Sequence, residues 1–191
     1  MKRIAILASG SGTNAQRIIE YFSSNAQSEV HVVLTNNPMA GVIDRAKKFQ
    51  IKCHVFPNRE FKTGIPVLQL LLDERIDLVV LAGFLLLIPE VILDQFSGRI
   101  INIHPALLPG HGGKGFFGES VHKAVIASGS IMSGITIHHV NKNFDEGEII
   151  FQAACHVDQN ETSQTLAEKI HALEHEYYPV VIKKVLQQLG N

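Results

Sequence analysis

The sequence predicts an α/β fold, a single-domain open and mostly parallel twisted sheet with helices on both faces. Three observations carry this. Short runs rich in Val, Ile and Leu recur at residues 4–8, 30–34, 77–82 and 100–103, and near-continuous hydrophobicity is what a strand buried on both faces requires. Between them lie segments whose apolar residues recur at three- and four-residue spacing, the period of a helix with one buried face. The first run also leads through a glycine-rich turn, Ser9 to Asn14, directly into the first helical segment, the strand-loop-helix order of a parallel sheet.

In chain order, the first strand is followed by a helix over Thr13 to Phe22, the second strand by a helix over Gly41 to Phe49, and a third helix over Thr63 to Arg75 precedes the strand at 77–82. After the strand at 100–103 the rhythm changes. Two strands, Gly134 to Val140 and Glu148 to Val157, are joined through Asn143-Phe144-Asp145-Glu146-Gly147, so an antiparallel strand is expected near the C-terminus. One long helix from about Thr162 to Leu189 ends the chain. No repeat, low-complexity tract or linker interrupts residues 1–191, which read as one domain.

Composition narrows the function. Apolar residues make up 46% of the chain, enough for a full core without a metal or disulfide staple. With 17 basic and 18 acidic side chains, nothing favours wrapping nucleic acid or lying on an anionic membrane. Cys53 and Cys155, far apart in the chain, suggest neither a disulfide framework nor a thiolate metal site and are expected as buried, reduced thiols. His111, His122, His138, His139 and His156 lack ligand spacing, so no metal is expected. The N-terminal apolar run is too short for a signal peptide, and the run from Leu78 to Ile88 is too short to span a bilayer, which together read as a cytoplasmic protein.

Three segments carry chemistry. Ala8-Ser9-Gly10-Ser11-Gly12-Thr13-Asn14 turns a strand into a helix, so backbone N–H groups and the helix dipole converge where glycine lets an anion approach. A tight turn that needs glycine for its backbone angles is the alternative. The loop is neither a dinucleotide fingerprint, which needs Gly where Ala15 stands, nor a P-loop, which needs a following Lys. In Ile100-Ile101-Asn102-Ile103-His104-Pro105, strand alternation puts Asn102 and His104 on one face at the carboxyl end of a parallel strand, where ligands bind in open sheets. The alternative is a buried polar pair satisfied by nearby loops. The glycine-rich stretch Gly110 to Phe117 reads as a cover over that edge. Asp145, which could merely cap its own turn, would complement the Asn and His pair by raising the imidazole pKa above about 6.5 and positioning a water.

Taken together, Ser9 to Asn14, Leu81-Ala82-Gly83-Phe84, Asn102 to Pro109, Gly134-Ile135-Thr136-Ile137-His138 and Asp145 to Ile150 resemble the glycinamide ribonucleotide formyltransferase family. The resemblance implies a Rossmann-like formyltransferase fold with a phosphate-binding half over about 1–100 and a folate and catalytic half over about 101–191. It implies 10-formyltetrahydrofolate as co-substrate and glycinamide ribonucleotide as acceptor, used by a monomer or homodimer. Position by position, Gly12, Thr13 and Asn14 take the phosphate and Glu174 reaches the rest of the ribonucleotide. Phe84, Leu85, Leu86, Leu87, Ile88 and Asn102 face the folate, and Asn102, His104 and Asp145 are catalytic. Leu86 stands where the family often has Arg, Ala106 stands where Ser is common, and the Gly110 to Phe117 loop is longer than usual. Methionyl-tRNA formyltransferases and formyltetrahydrofolate deformylases share the Asn-x-His-Pro region but carry further domains for which 191 residues leave no room. A non-catalytic nucleotide-binding module would leave Asn102, His104 and Asp145 unexplained.

Overall fold

The computed structural model describes residues 1–189. In chain order the elements are β1 (Lys2–Leu7), α1 (Thr13–Phe22), β2 (Ser28–Thr35), α2 (Val42–Lys48), β3 (Lys52–Val55), α3 (Asn58–Thr63), α4 (Ile65–Asp73) and β4 (Leu78–Leu81). They continue with α5 (Glu90–Gln95), β5 (Ile100–His104), α6 (Glu119–Ala127), β6 (Met132–His139), β7 (Ile149–His156) and α7 (Ser163–Gln188). The strands form one seven-stranded sheet in the order β3-β2-β1-β4-β5-β6-β7. Pairs from β3 through β5 are parallel, and β6 runs antiparallel to both β5 and β7.

Alternation along the central strands divides the interior into two cores. Ile4, Ile6, Val33, Leu78 and Val80 face α1, α2, α6 and α7 on one side. Ala5, Leu7, Val32, Leu34 and Val79 face α3, α4 and α5 on the other. Strands apolar on both faces therefore mark the middle of the sheet, as their sequence requires. Tyr178 of α7 is fully buried and donates its hydroxyl to the carbonyl oxygens of Leu81 at 2.9 Å and Ile101 at 3.4 Å, pinning the long helix across β4 and β5. Among the described residues, no helix is long and apolar enough to cross a membrane.

Several elements differ from the sequence reading. The strand β3 was not foreseen: Lys-Cys-His-Val is short, and its place at the sheet edge leaves it partly exposed instead of continuously apolar. The helix expected over Thr63 to Arg75 is α4, which starts after Gly64, at φ 71° in a conformation open to glycine, and immediately before Pro66; the short α3 that ends at Thr63 was not expected. The short α5 and α6 were also missed, α6 because it follows the glycine-rich loop without a side-chain cap. Cys53 and Cys155 are free but half-buried, not buried, because β3 and β7 are the two edge strands.

Candidate active site

The strand order reverses direction between β1 and β4, and in an open α/β sheet ligands bind at such a switch point, beyond the carboxyl ends of the strands. A cleft of about 540 Å³ opens there. It is lined by the turn after β1 (Gly10 to Asn14), the segment after β4 (Leu81 to Ile88), the end of β5 with Asn102 and His104, and Asp145.

The first wall is built on α1. Its N-cap Gly12 has φ 77° and no side-chain cap, so first-turn N–H groups of the helix face the cleft. The neighbouring helix α2 holds the turn. Val42 N donates to Gly10 O at 3.2 Å and Arg45 Nε to Ser11 O at 2.7 Å, while Arg45 Nη1 also meets Gln16 Oε1. Asn14 Nδ2 donates at 2.9 Å to Glu174 Oε2 of α7. Burial pushes the Glu174 carboxyl up to about 7, partly offset by that bond from Asn14. The turn is also clipped to the second wall: Ser9 N donates to Gly83 O at 3.0 Å, and Leu85 N donates to Ser9 Oγ at 3.1 Å.

That second wall, Phe84 to Ile88, is irregular backbone with apolar side chains. Ile88 is buried, and Phe84 and Leu86 pack on the core beneath, while Leu85 and Leu87 are exposed. Leu86 therefore extends the apolar floor where an Arg would bring a charge.

At the third wall Asn102, His104 and Asp145 meet. Asp145 sits at φ 57° in the turn between β6 and β7, and an Asp tolerates this left-handed conformation better than most residues. Its Oδ1 accepts from Asn102 Nδ2 at 3.4 Å, its Oδ2 accepts from Gly113 N at 3.0 Å, and Oδ2 lies 3.4 Å from His104 Nδ1. His104 Nε2 donates to the backbone carbonyl of His111 at 2.8 Å. The cover loop thus touches both the imidazole and the carboxylate.

The electrostatics correct one expectation. Asp145 does pull the His104 pKa upward, but burial of the ring, only 3% exposed, outweighs it, and the net direction is below the usual 6.5. The imidazole is neutral at pH 7, with its proton on Nε2 and its lone pair on Nδ1, facing Asp145. Burial raises the Asp145 carboxyl, yet the His138 contact, the His104 charge and the Gly113 N–H together hold it below the usual carboxylate value. It stays ionised.

Residues 2–182 match the profile described as "Formyl transferase". The chain belongs to the formyl transferase family. A phosphoribosylglycinamide formyltransferase of Bacillus subtilis is 34% identical over 97% of this chain and 95% of its own length. The chloroplastic phosphoribosylglycinamide formyltransferase of Arabidopsis thaliana is 39% identical over 98% of this chain, which spans 66% of that longer protein. The crystal structure of the phosphoribosylglycinamide formyltransferase from Bacillus halodurans superposes with a TM-score of 0.87 at 38% identity, covering 97% of this chain and 95% of that one.

In this formyl transferase every residue singled out in the sequence lines the one cleft: Gly12, Thr13, Asn14, Phe84, Leu85, Leu86, Leu87, Ile88, Asn102, His104, Asp145 and Glu174. One participant escaped the sequence reading. His138 of β6 is paired in register with Asn102, and its Nε2 lies 3.2 Å from Asn102 Nδ2 and 3.6 Å from Asp145 Oδ1. From sequence alone it counts among histidines spread without ligand spacing. The signal available was its two-residue spacing from Thr136, which puts both on one face of the strand expected over Gly134 to Val140.

Proposed function

We propose that this formyl transferase transfers the formyl group of 10-formyltetrahydrofolate to the amine of 5-phosphoribosylglycinamide, giving formylglycinamide ribonucleotide and tetrahydrofolate in de novo purine (IMP) biosynthesis. The observation that carries the reading is the joining, in one cleft, of an uncapped helix N-terminus to the Asn102, His104 and Asp145 cluster. The names of the relatives at 34% and 39% identity support it.

Gly12, Thr13 and Asn14 hold the phosphate, and Glu174 takes sugar hydroxyls beside them. The folate, when bound along Phe84, Leu85, Leu86, Leu87 and Ile88, supplies the carbonyl carbon to be transferred. The fit rests on the apolar floor that Phe84, Leu86 and Ile88 make over the second core. Binding roles therefore cross the midpoint of the chain: Glu174 serves the phosphate side and Phe84 to Ile88 the folate side.

Asn102 exchanges its 3.4 Å bond to Asp145 for one to the formyl oxygen, where negative charge grows as the amine attacks, and keeps its other N–H on His138. Neutral His104 accepts the amine's proton at Nδ1 and returns it to the nitrogen that departs. Asp145, ionised at 3.4 Å, stabilises the imidazolium in between. Before substrate enters, the cover loop releases the His111 carbonyl from His104 and the Gly113 N–H from Asp145. We read the protein as a cytoplasmic small-molecule enzyme, monomeric or homodimeric, working without nucleic acid or metal. The test is a formyl-transfer assay with both substrates. Release of formate instead of formylation of the ribonucleotide would reject the assignment.

A further inference from the structure

The turn from Gly10 to Asn14 presents backbone to the cleft, and what aims that backbone lies behind it. The carbonyl of Gly10 accepts from Val42 N at 3.2 Å, that of Ser11 from Arg45 Nε at 2.7 Å, and that of Gly12 from Gln16 N at 2.9 Å. In a planar trans peptide the C=O and the N–H that follows it point in opposite directions. The first two carbonyls are turned to α2, none of whose residues lines the cleft. The N–H groups of Ser11 and Gly12 are therefore turned away from α2, to the side of the cleft that both residues line. Neither N–H has a hydrogen-bond partner among the described residues. The acceptors of the turn are occupied and its donors are free, which is how successive backbone N–H groups make a concavity for an anion.

Of these braces only the one on Ser11 is charged. Arg45 stands on α2 and reaches Ser11 O and Gln16 Oε1 of α1, so one side chain spans both helices across the turn. Both contacts are to neutral oxygens, and neither cancels the guanidinium charge. A charged donor binds a carbonyl more strongly than a neutral one, and a carbonyl so polarised makes the N–H of its own peptide a better donor. We propose that Arg45 is a positioning residue for the acceptor's phosphate: without touching the ligand, it holds the Ser11–Gly12 peptide with its N–H toward the cleft and strengthens that N–H as a donor. This rests on the phosphate assigned above to the turn.

The experiment is calorimetric titration of the wild type, Arg45→Met and Arg45→Lys with 5-phosphoribosylglycinamide, ribose 5-phosphate and tetrahydrofolate, with thermal melts of each protein. R45M keeps the aliphatic stem and removes the donors, whereas R45K keeps a cationic donor. R45M is expected to bind both phosphorylated ligands about tenfold more weakly, with tetrahydrofolate affinity within about twofold of wild type, and R45K to recover to within about threefold. If R45M does not fold, R45A, with the best helix former at that position, gives the same comparison. An R45M affinity for the phosphorylated ligands within about threefold of wild type overturns the proposal. So does an equal loss for all three ligands, which marks general loosening of the cleft, and so does an R45K variant that binds no tighter than R45M. A wild type that binds ribose 5-phosphate but not the glycinamide compound removes the acceptor assignment alone, and the ribose 5-phosphate titrations still decide the role of Arg45. A wild type that binds neither overturns both.

Discussion

Asn102 Nδ2 lies 3.2 Å from His138 Nε2, and the other ring nitrogen of His138 is held 2.8 Å from the carbonyl of His139. A carbonyl only accepts, so Nδ1 carries a proton; in the neutral ring Nε2 accepts from the amide, and in the imidazolium it donates to Asp145 Oδ1 instead. The cross-strand pair thereby fixes which end of Asn102 is the donor. His138→Phe keeps the ring but removes that acceptor, and kcat/KM is expected to fall about tenfold, or about 1.4 kcal/mol, with KM for the phosphorylated amine little changed. Steady-state kinetics check it; an unaltered kcat shows that Asn102 needs no such orientation.

Truncating the groups at the reacting carbon has a larger effect. Asn102→Ala and His104→Ala are each expected to lower kcat/KM by about 10²–10³, the usual cost of losing one preorganised group at a developing charge. Asp145→Asn is expected to collapse kcat while substrate binding persists. Losses under about threefold, or about 0.7 kcal/mol, in single-turnover assays would reject these roles.

The pH profile follows from two depressed pKa values. The active form pairs an ionised Asp145 with a neutral His104, so kcat/KM falls on acidification as His104 takes a proton, below its usual 6.5. Asp145→Asn removes the carboxylate that draws the imidazole pKa upward, so the acid limb of the residual activity moves to still lower pH. A limb that stays in place shows that the two groups are uncoupled. The same depressed values contribute stability that is present at neutral pH and lost as the pH falls through them.

Glu174 behaves in the opposite sense. Its carboxyl titrates at about 7 in the folded chain against 4.5 as the ordinary value, so the contribution is fully present below 4.5 and lost as the pH rises through 7. Glu174→Gln still accepts from Asn14 and never ionises. At pH 8 it is expected to be more stable than wild type by on the order of 3 kcal/mol, a rise in Tm of several degrees, and nearly indistinguishable at pH 4.5. Melting curves at the two pH values decide; equal Tm differences at both contradict the raised pKa.

Gly12 combines a left-handed backbone with no room for a side chain. A Cβ there would stand 2.6 Å from Val42 Cβ, so Gly12→Ala must push α2 away from the turn that it braces. Affinity for the phosphorylated amine is expected to drop about tenfold or more, with affinity for the folate nearly kept. Isothermal titration with each substrate tests this, and equal losses for both would place the anion elsewhere. The wild type should likewise bind the dephosphorylated amine poorly.

How far the sequence reveals all this depends on whether a residue's neighbours are close in the chain. The strands β1, β2, β4 and β5 are legible because burial on both faces writes an unbroken apolar run. At the edge the same signal fails for β3, half of whose surroundings are water. The turn from Ser9 to Asn14 and the pair Asn102 and His104 carry local patterns and could be named before any coordinates. His138 could not, because it acquires its meaning from a partner across the sheet. The His104 pKa is the sharpest case. A charge partner is visible in the residue list, whereas the desolvation that overrides it depends on every atom packed round the ring.

The clip formed by Ser9 has a consequence for which molecules can react. Through its backbone N–H and its hydroxyl, Ser9 joins the turn proposed to hold the phosphate to Gly83 and Leu85 of the apolar wall, across the middle of the sheet. The two surfaces cannot drift apart independently, so their separation works as a fixed gauge. An acceptor whose phosphate and nucleophile are spaced too far apart or too near will seat one end and leave the other out of range, whatever its affinity.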